Sequence, residues 1–311
     1  MVEPGESFVQ GMEVWVPKGD ILRHHSGAYG RHTEFARVSA NKAFRFGEGL
    51  PGSVWASRRP EVWKELTSHF VRGELAAAAG LDAAIGFPLF RGDEVSAVIV
   101  LLCGRRESTG GCIEVWNTNT DLGLLEHASG YYGRFEQFGK ISRLLQFPRG
   151  TGLPGITWER GVPQLIDVEG NSNAFVRASI ARECGLGSGI ALPIHRAGSV
   201  AHVVILLSAT ATPIARAFEV WVPYGQELVL ESAHYAEGLE EFGETSQDTV
   251  FRKGEGLPGR AFASELPVVF DHLRGPQFAR YAAAAKAGLE VGLALPIIDG
   301  TGVRAVACLL S

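Results

Sequence analysis

The chain has 311 residues and a formal net charge of −5, a length that suits two or three domains. Hydrophobic residues make up 46% and charged residues 20%, so packed cores are expected and disorder is not. The mild acidity speaks against nucleic-acid binding. No apolar run reaches the roughly 18–20 residues that span a bilayer, and the opening MVEPGESFVQG lacks a signal-peptide pattern, so a soluble, cytoplasmic protein is expected.

In chain order, EVWVP (13–17) and DILRHHSG (20–27) read as two strands around a Lys-Gly-Asp turn. GEGLPG follows at 47–52. A phosphate-binding loop would carry Lys and Ser/Thr here; Leu50 and Pro51 stand instead, and proline removes an N–H donor. Gly49, Pro51 and Gly52 are therefore read as a structural turn into a short helix, with Leu50 packed beneath and the proline at the first helical position. The Ala-rich stretch from Phe70 to Gly80 reads as a helix, with Ser68 as its cap and Gly80 as its stop. AIGFPLFRGDEVSAVIVLL (84–102) reads as strand, turn, strand.

The same order then returns twice, with periods near a hundred residues. Glu13-Val14-Trp15 recurs as Glu114-Val115-Trp116 and Glu219-Val220-Trp221. The glycine turn recurs through Gly152, Pro154 and Gly155 and through Gly256, Pro258 and Gly259. Trp55, Trp158 and Phe262 follow at one spacing, and Pro60, Pro163 and Pro267 at another. Phe-x-Arg recurs at Arg72, Arg177 and Arg280, and the later prolines are Pro88, Pro193 and Pro296. Asn173 and Pro276 are the matching start signals for the later helices. The expectation is three α+β domains at 1–104, 105–209 and 210–311, each a mainly antiparallel sheet with helices packed on it. Short connectors leave one alternative, in which a closing strand hairpins with the next unit's opening strand.

The order strand pair, GEGLPG with Trp55 and Pro60, helix, then a proline strand and AVIVLL resembles the GAF domain, a small-molecule sensory domain, in all three units. The closer likeness is to the GAF-like segment of plant NIN-like regulators, through VW-x-P, GLPG, Pro60-Glu61-Val62-Trp63 and LALP. The resemblance implies sensing or regulation. Bilin attachment in that family uses a cysteine commonly followed by His, whereas Cys184 precedes Gly185. The phosphodiesterase signature is not matched by NKAF (41–44). The sulfoxide reductases of the fold need a cysteine cluster that Cys103, Cys112, Cys184 and Cys308 do not form by spacing.

No catalytic or metal-ligating set recurs, and no cofactor is expected. The three arginines stand out as the one repeated feature that is not apolar, Gly or Pro. Helical spacing from the Phe points them outward, either to a structural hydrogen bond or to an anion in a pocket. Trp15, Trp116 and Trp221 are read as core or as a ligand platform. The leading expectation is a non-catalytic sensory or regulatory protein that binds a small molecule or anion and passes its signal to a protein partner. The rivals are a structural or oligomerising scaffold whose pockets are plugged by Trp and Phe, and an enzyme of unknown chemistry.

Overall fold

The computed structural model describes residues 7–104, 110–168, 175–209 and 212–311. The first unit runs β1 (Val9–Lys18), β2 (Ile21–Ala28), α1 (Thr33–Ala40), β3 (Ala43–Arg45), α2 (Gly49–Ser57), β4 (Glu61–Lys64), α3 (Leu66–His69), α4 (Gly73–Ala78), β5 (Leu81–Arg91) and β6 (Glu94–Gly104). The second runs β7 (Gly111–Asn119), β8 (Leu124–Tyr131), α5 (Glu136–Ser142), β9 (Gln146–Pro148), α6 (Gly152–Arg160), β10 (Gln164–Asp167), α7 (Ala178–Glu183), β11 (Leu186–Arg196) and β12 (Ser199–Ala209). The third runs β13 (Ala217–Tyr224), β14 (Glu227–Tyr235), α8 (Glu240–Gln247), β15 (Phe251–Arg252), α9 (Gly256–Ser264), β16 (Val268–Phe270), α10 (Tyr281–Ala287), β17 (Gly292–Asp299) and β18 (Gly302–Leu310). Each unit forms one six-stranded antiparallel sheet in the order third, second, first, sixth, fifth, fourth strand.

Opening and closing strands pair inside each unit: Trp15 lies opposite Val98, Trp116 opposite Val203, and Trp221 opposite Val306. The alternative pairing across connectors therefore does not occur. The sequence reading lacked the helix after the second strand (α1, α5, α8) and the short third and fourth strands. It also made the Phe-x-Arg helix too long. α4 begins only at Gly73, so Phe70 and Arg72 precede it, Ser68 lies in the separate turn α3, and α10 begins beyond Pro276. Asn173 lies outside the described residues.

The glycine turn has a steric cause. Gly49, Gly152 and Gly256 open their helices with φ near +60°, which an L side chain resists. A Cβ on Gly52 would stand 2.2 Å from the Arg45 carbonyl oxygen, and Gly155 and Gly259 meet Pro148 and Arg252 in the same way. Leu50, within α2, is fully buried. Pro51 is the third residue of the helix and not the first as expected; its place is still in the first turn, where an amide N–H has no intrahelical acceptor.

Both faces of each sheet are covered. One face packs on its own helices. The other faces of all three sheets share one core, in which Val14, Val115, Val204, Leu206, Phe218 and Leu309 belong to a single apolar cluster. β5, β11 and β17 touch one another in a triangle, and Pro88, Pro193 and Pro296 line a void of about 20 Å³ between them. Outside that triangle, β4 packs on β8, β10 on β14, and β16 on β2. The fourth strand of each unit thus meets the second strand of the next, and the third unit returns to the first. This is a closed, approximately three-fold ring within one chain.

Candidate functional site

The space between sheet and helices, where an open polar cavity would favour sensing, is built from the opening strand. Glu13 and Trp15 are two apart on β1 and so share the face under the helices. Across from them β2 carries one extra residue, His25, between the partners of Val14 and Trp15; Ala128 and Glu231 do the same in the other units. The bulge is a repeated feature at the strand that carries the site.

Arg72 sits at the N-cap position of α4 and is only 4% exposed. Its two Nη groups donate to the two carboxylate oxygens of Glu13, the Nη2 bond being 2.9 Å. Nη1 also donates to Ser39 Oγ on α1, and the Trp15 indole N–H donates to Glu13 at 2.9 Å. Ser39 Oγ gives its own proton to the Phe35 carbonyl at 2.7 Å, which leaves its lone pairs for the arginine. In the second unit Arg177 donates to Glu114 at 2.5 and 2.9 Å and to Ser142 at 2.5 Å, and Trp116 donates to Glu114 at 3.1 Å. In the third, Arg280 pairs with Glu219 and Ser246, and Trp221 donates to Glu219 at 2.9 Å. Tyr132 and Tyr235 add a hydroxyl donor to the same carboxylates at 3.2 and 3.0 Å.

Four aromatic rings enclose each guanidinium. Arg72 Cζ lies 4.6–5.8 Å from the centroids of Phe35 (α1), Phe70 (before α4), Trp15 (β1) and Phe44 (β3). Arg177 is held the same way by Phe138, Phe175, Trp116 and Phe147, and Arg280 by Phe242, Phe278, Trp221 and Phe251. Cation–ring attraction is strongest where water is excluded, as it is here. Burial pushes the Glu13 carboxyl toward its neutral form, but the charge and hydrogen bonds of Arg72, with the Trp15 N–H, bring it below the ordinary value; Glu114 and Glu219 behave alike. The pair is therefore ionic.

This corrects two sequence expectations. The arginines point inward, because the Phe and Arg do not share a helix. And the arginine is not the one repeated charge: its glutamate partner stands in the opening strand of every unit. Trp15, Trp116 and Trp221 are fully buried and bonded to that glutamate, with no face open to a ligand. His24 and His127 lie edge-on to these tryptophans and bond to Tyr29 and Tyr132 hydroxyls, while Leu230 takes that place in the third unit.

The architecture has counterparts among solved structures. Its likenesses are to GAF domains and GAF-like folds. A GAF domain of A. aeolicus nlh2 in an inactive state matches at 26% identity over 31% of this chain and 58% of that one, with a TM-score of 0.26. The NreA protein of Staphylococcus aureus, mutated in its nitrate-binding site, matches at 15% over 33% and 75%, with a TM-score of 0.26. The free methionine-R-sulfoxide reductase of Neisseria meningitidis, with its substrate, matches at 16% over 30% and 52%, with a TM-score of 0.25. Each match covers about the length of one unit, and this chain spans less than two thirds of the nlh2 structure. No protein-family model and no curated protein matches the sequence. Nothing in the comparisons supports the finer likeness to NIN-like regulators. The three six-stranded sheets fit three tandem GAF-like units.

Among the described residues all four cysteines are free, and burial raises the thiols of Cys103, Cys112 and Cys308, which disfavours the reactive thiolate. No three His, Cys, Asp or Glu side chains group as metal ligands among the described residues, and no described helix is long and apolar enough to cross a membrane.

Proposed function

We propose that this protein is a non-catalytic GAF-like scaffold that presents a fixed three-unit ring to a signalling partner. The observation that supports this reading is the filled chamber, repeated three times. Where a sensory unit would need space, a buried Arg–Glu pair and four aromatic rings occupy it. The shared core between the sheets supports the scaffold role, since it ties the units into one body. Native mass spectrometry of the purified chain tests the reading. The expected mass is that of the polypeptide alone, before and after incubation with a cell metabolite extract. A small molecule retained at up to three per chain, with one fewer on replacing Trp116, would overturn it.

A second reading keeps a small-molecule role outside the chambers. A cleft of about 420 Å³ lies between the first and third units, bordered by Met12, Ala28 and Tyr29 on one side and by Arg216, Val291 and Ser311 on the other. Tyr131 and His234 stand where Ala28 does in the other units. At the first seam Tyr131 reaches Asp82 at 3.5 Å and stacks on Phe8. Ala28→Tyr copies that filler, and a ligand of this cleft would lose its binding in the variant while the fold is retained.

A further inference from the structure

We infer that each chamber is an amidinium and guanidinium site, occupied by a tethered ligand that the chain itself supplies. The inference rests on the filled-chamber reading and adds the ligand class. The recognition elements come from the surroundings and not from the arginine. They are a carboxylate with both oxygens turned inward, a serine oxygen beside one of them, and four ring faces. Two parallel oxygens match a planar fork of two NH₂ groups. A quaternary ammonium would satisfy the rings but bring the carboxylate no N–H donors, leaving it only the donors of Trp116 and Tyr132, in a place where an undermatched buried charge is strongly unfavourable. The fork therefore selects planar cations over methylated ammonium.

One atom refines the class. Nε of Arg72, of Arg177 and of Arg280 is buried and meets no protein acceptor. A buried N–H without an acceptor is unfavourable by comparison with an apolar group in its place. An amidinium keeps the two NH₂ groups and carries carbon where Nε stands. With the arginine side chain removed, acetamidinium should therefore bind at least as well as methylguanidinium. Methylammonium and tetramethylammonium should bind much more weakly.

The test uses the full chain with Arg177→Gly, which empties one chamber and leaves Glu114 without its cation. Thermal unfolding is followed with acetamidinium, methylguanidinium or tetramethylammonium chloride in the low millimolar range, at constant ionic strength. The expected result is a saturable rise in melting temperature of several degrees with the first two, none with the third, and no rise in the wild type. If the variant does not fold alone, recovery of native tryptophan fluorescence on adding acetamidinium is the equivalent reading. A Glu114→Gln/Arg177→Gly double variant should lose the response, because the charge that selects the cation is gone. Equal responses of variant and wild type, failure of acetamidinium to stabilise or refold the variant, or a response that persists in the double variant would overturn the inference. A wild-type chain that retains a metabolite would instead count against the filled-chamber reading, so the two failures are distinguishable.

Discussion

Replacing Arg72 by Ala removes two charged hydrogen bonds to Glu13 and one to Ser39, and leaves a fully buried carboxylate with the Trp15 N–H. Breaking one side of a buried pair is unfavourable by about 3–5 kcal/mol, and hydrogen bonds to charged groups by about 1.5–3 kcal/mol each. The surviving Trp15 bond moderates the loss, so about 4 kcal/mol is expected, or a fall in melting temperature of about 6 °C for a chain of this length that melts in one transition. The penalty should also depend on pH. In the wild type the Glu13 pKa lies below the ordinary 4.5, so its contribution is present above that value and is lost as pH falls through the lower folded value. Without Arg72 burial, the largest effect on this carboxyl, is opposed only by weaker ones such as the Trp15 N–H, and the folded pKa rises above the unfolded one. Stability tied to the protonated form is then present at low pH and lost as pH rises. The variant should therefore be closer to wild type at pH 5 than at pH 8. Urea unfolding of both proteins at the two pH values, with a Glu13→Leu/Arg72→Met double variant that should recover most of the loss, provides the assay. Wild-type-like unfolding of Arg72→Ala, or an equal penalty at both pH values, would refute the reasoning.

Gly52→Ala should destabilise the first unit by about 1–3 kcal/mol in chemical unfolding, because its Cβ meets a backbone oxygen that cannot step aside. Leu206→Ala, in the core shared by the three sheets, should lower stability by about 2–5 kcal/mol. Calorimetry should show one transition for the whole ring in place of three. His202 is buried against Asn117 with a pKa lowered to about 4, so it stays neutral in the fold while the unfolded chain takes up a proton below about 6.5. Its share of stability should be lost as pH falls from 6.5 to 4, and His202→Asn should flatten that slope in unfolding titrations. In native protein an alkylating reagent should label Cys184 fastest by mass spectrometry, since Cys103, Cys112 and Cys308 are buried.

Much of the chamber was legible in the sequence as separate letters. Glu-Val-Trp and Phe-x-Arg both recur, at separations of 59, 63 and 61 residues between the paired Glu and Arg. A charged residue two positions from a Trp, in a strand that is otherwise apolar, needs an opposite partner once that face is buried. Taken with the repeated arginine, it names the pair. The inward course of the arginine was hidden because Ala-rich sequence suggested a helix through Phe70, whereas Gly73 begins it. Phe35 and Phe44 lie where the repeats align least clearly, on a short helix and a three-residue strand that periodicity does not mark. The closing strands did carry a signal for the ring. AVIVLLC is apolar without alternation, which an antiparallel strand shows when both its faces are covered. What covers the second face depends on contacts between units, which a pattern within one unit does not specify.

The filled chamber is tested most directly by side-chain ¹⁵N–¹H NMR of the arginines in the ligand-free protein. Three guanidinium groups held by a bidentate carboxylate inside four rings should show separate Nη signals, slow rotation about Cζ–Nε and slow exchange with solvent. Replacement of Arg72, Arg177 or Arg280 should remove one set each. Arginine signals that all average and exchange at the rate of solvent-exposed groups, or that are released when a small molecule is added to the wild type, would contradict the account.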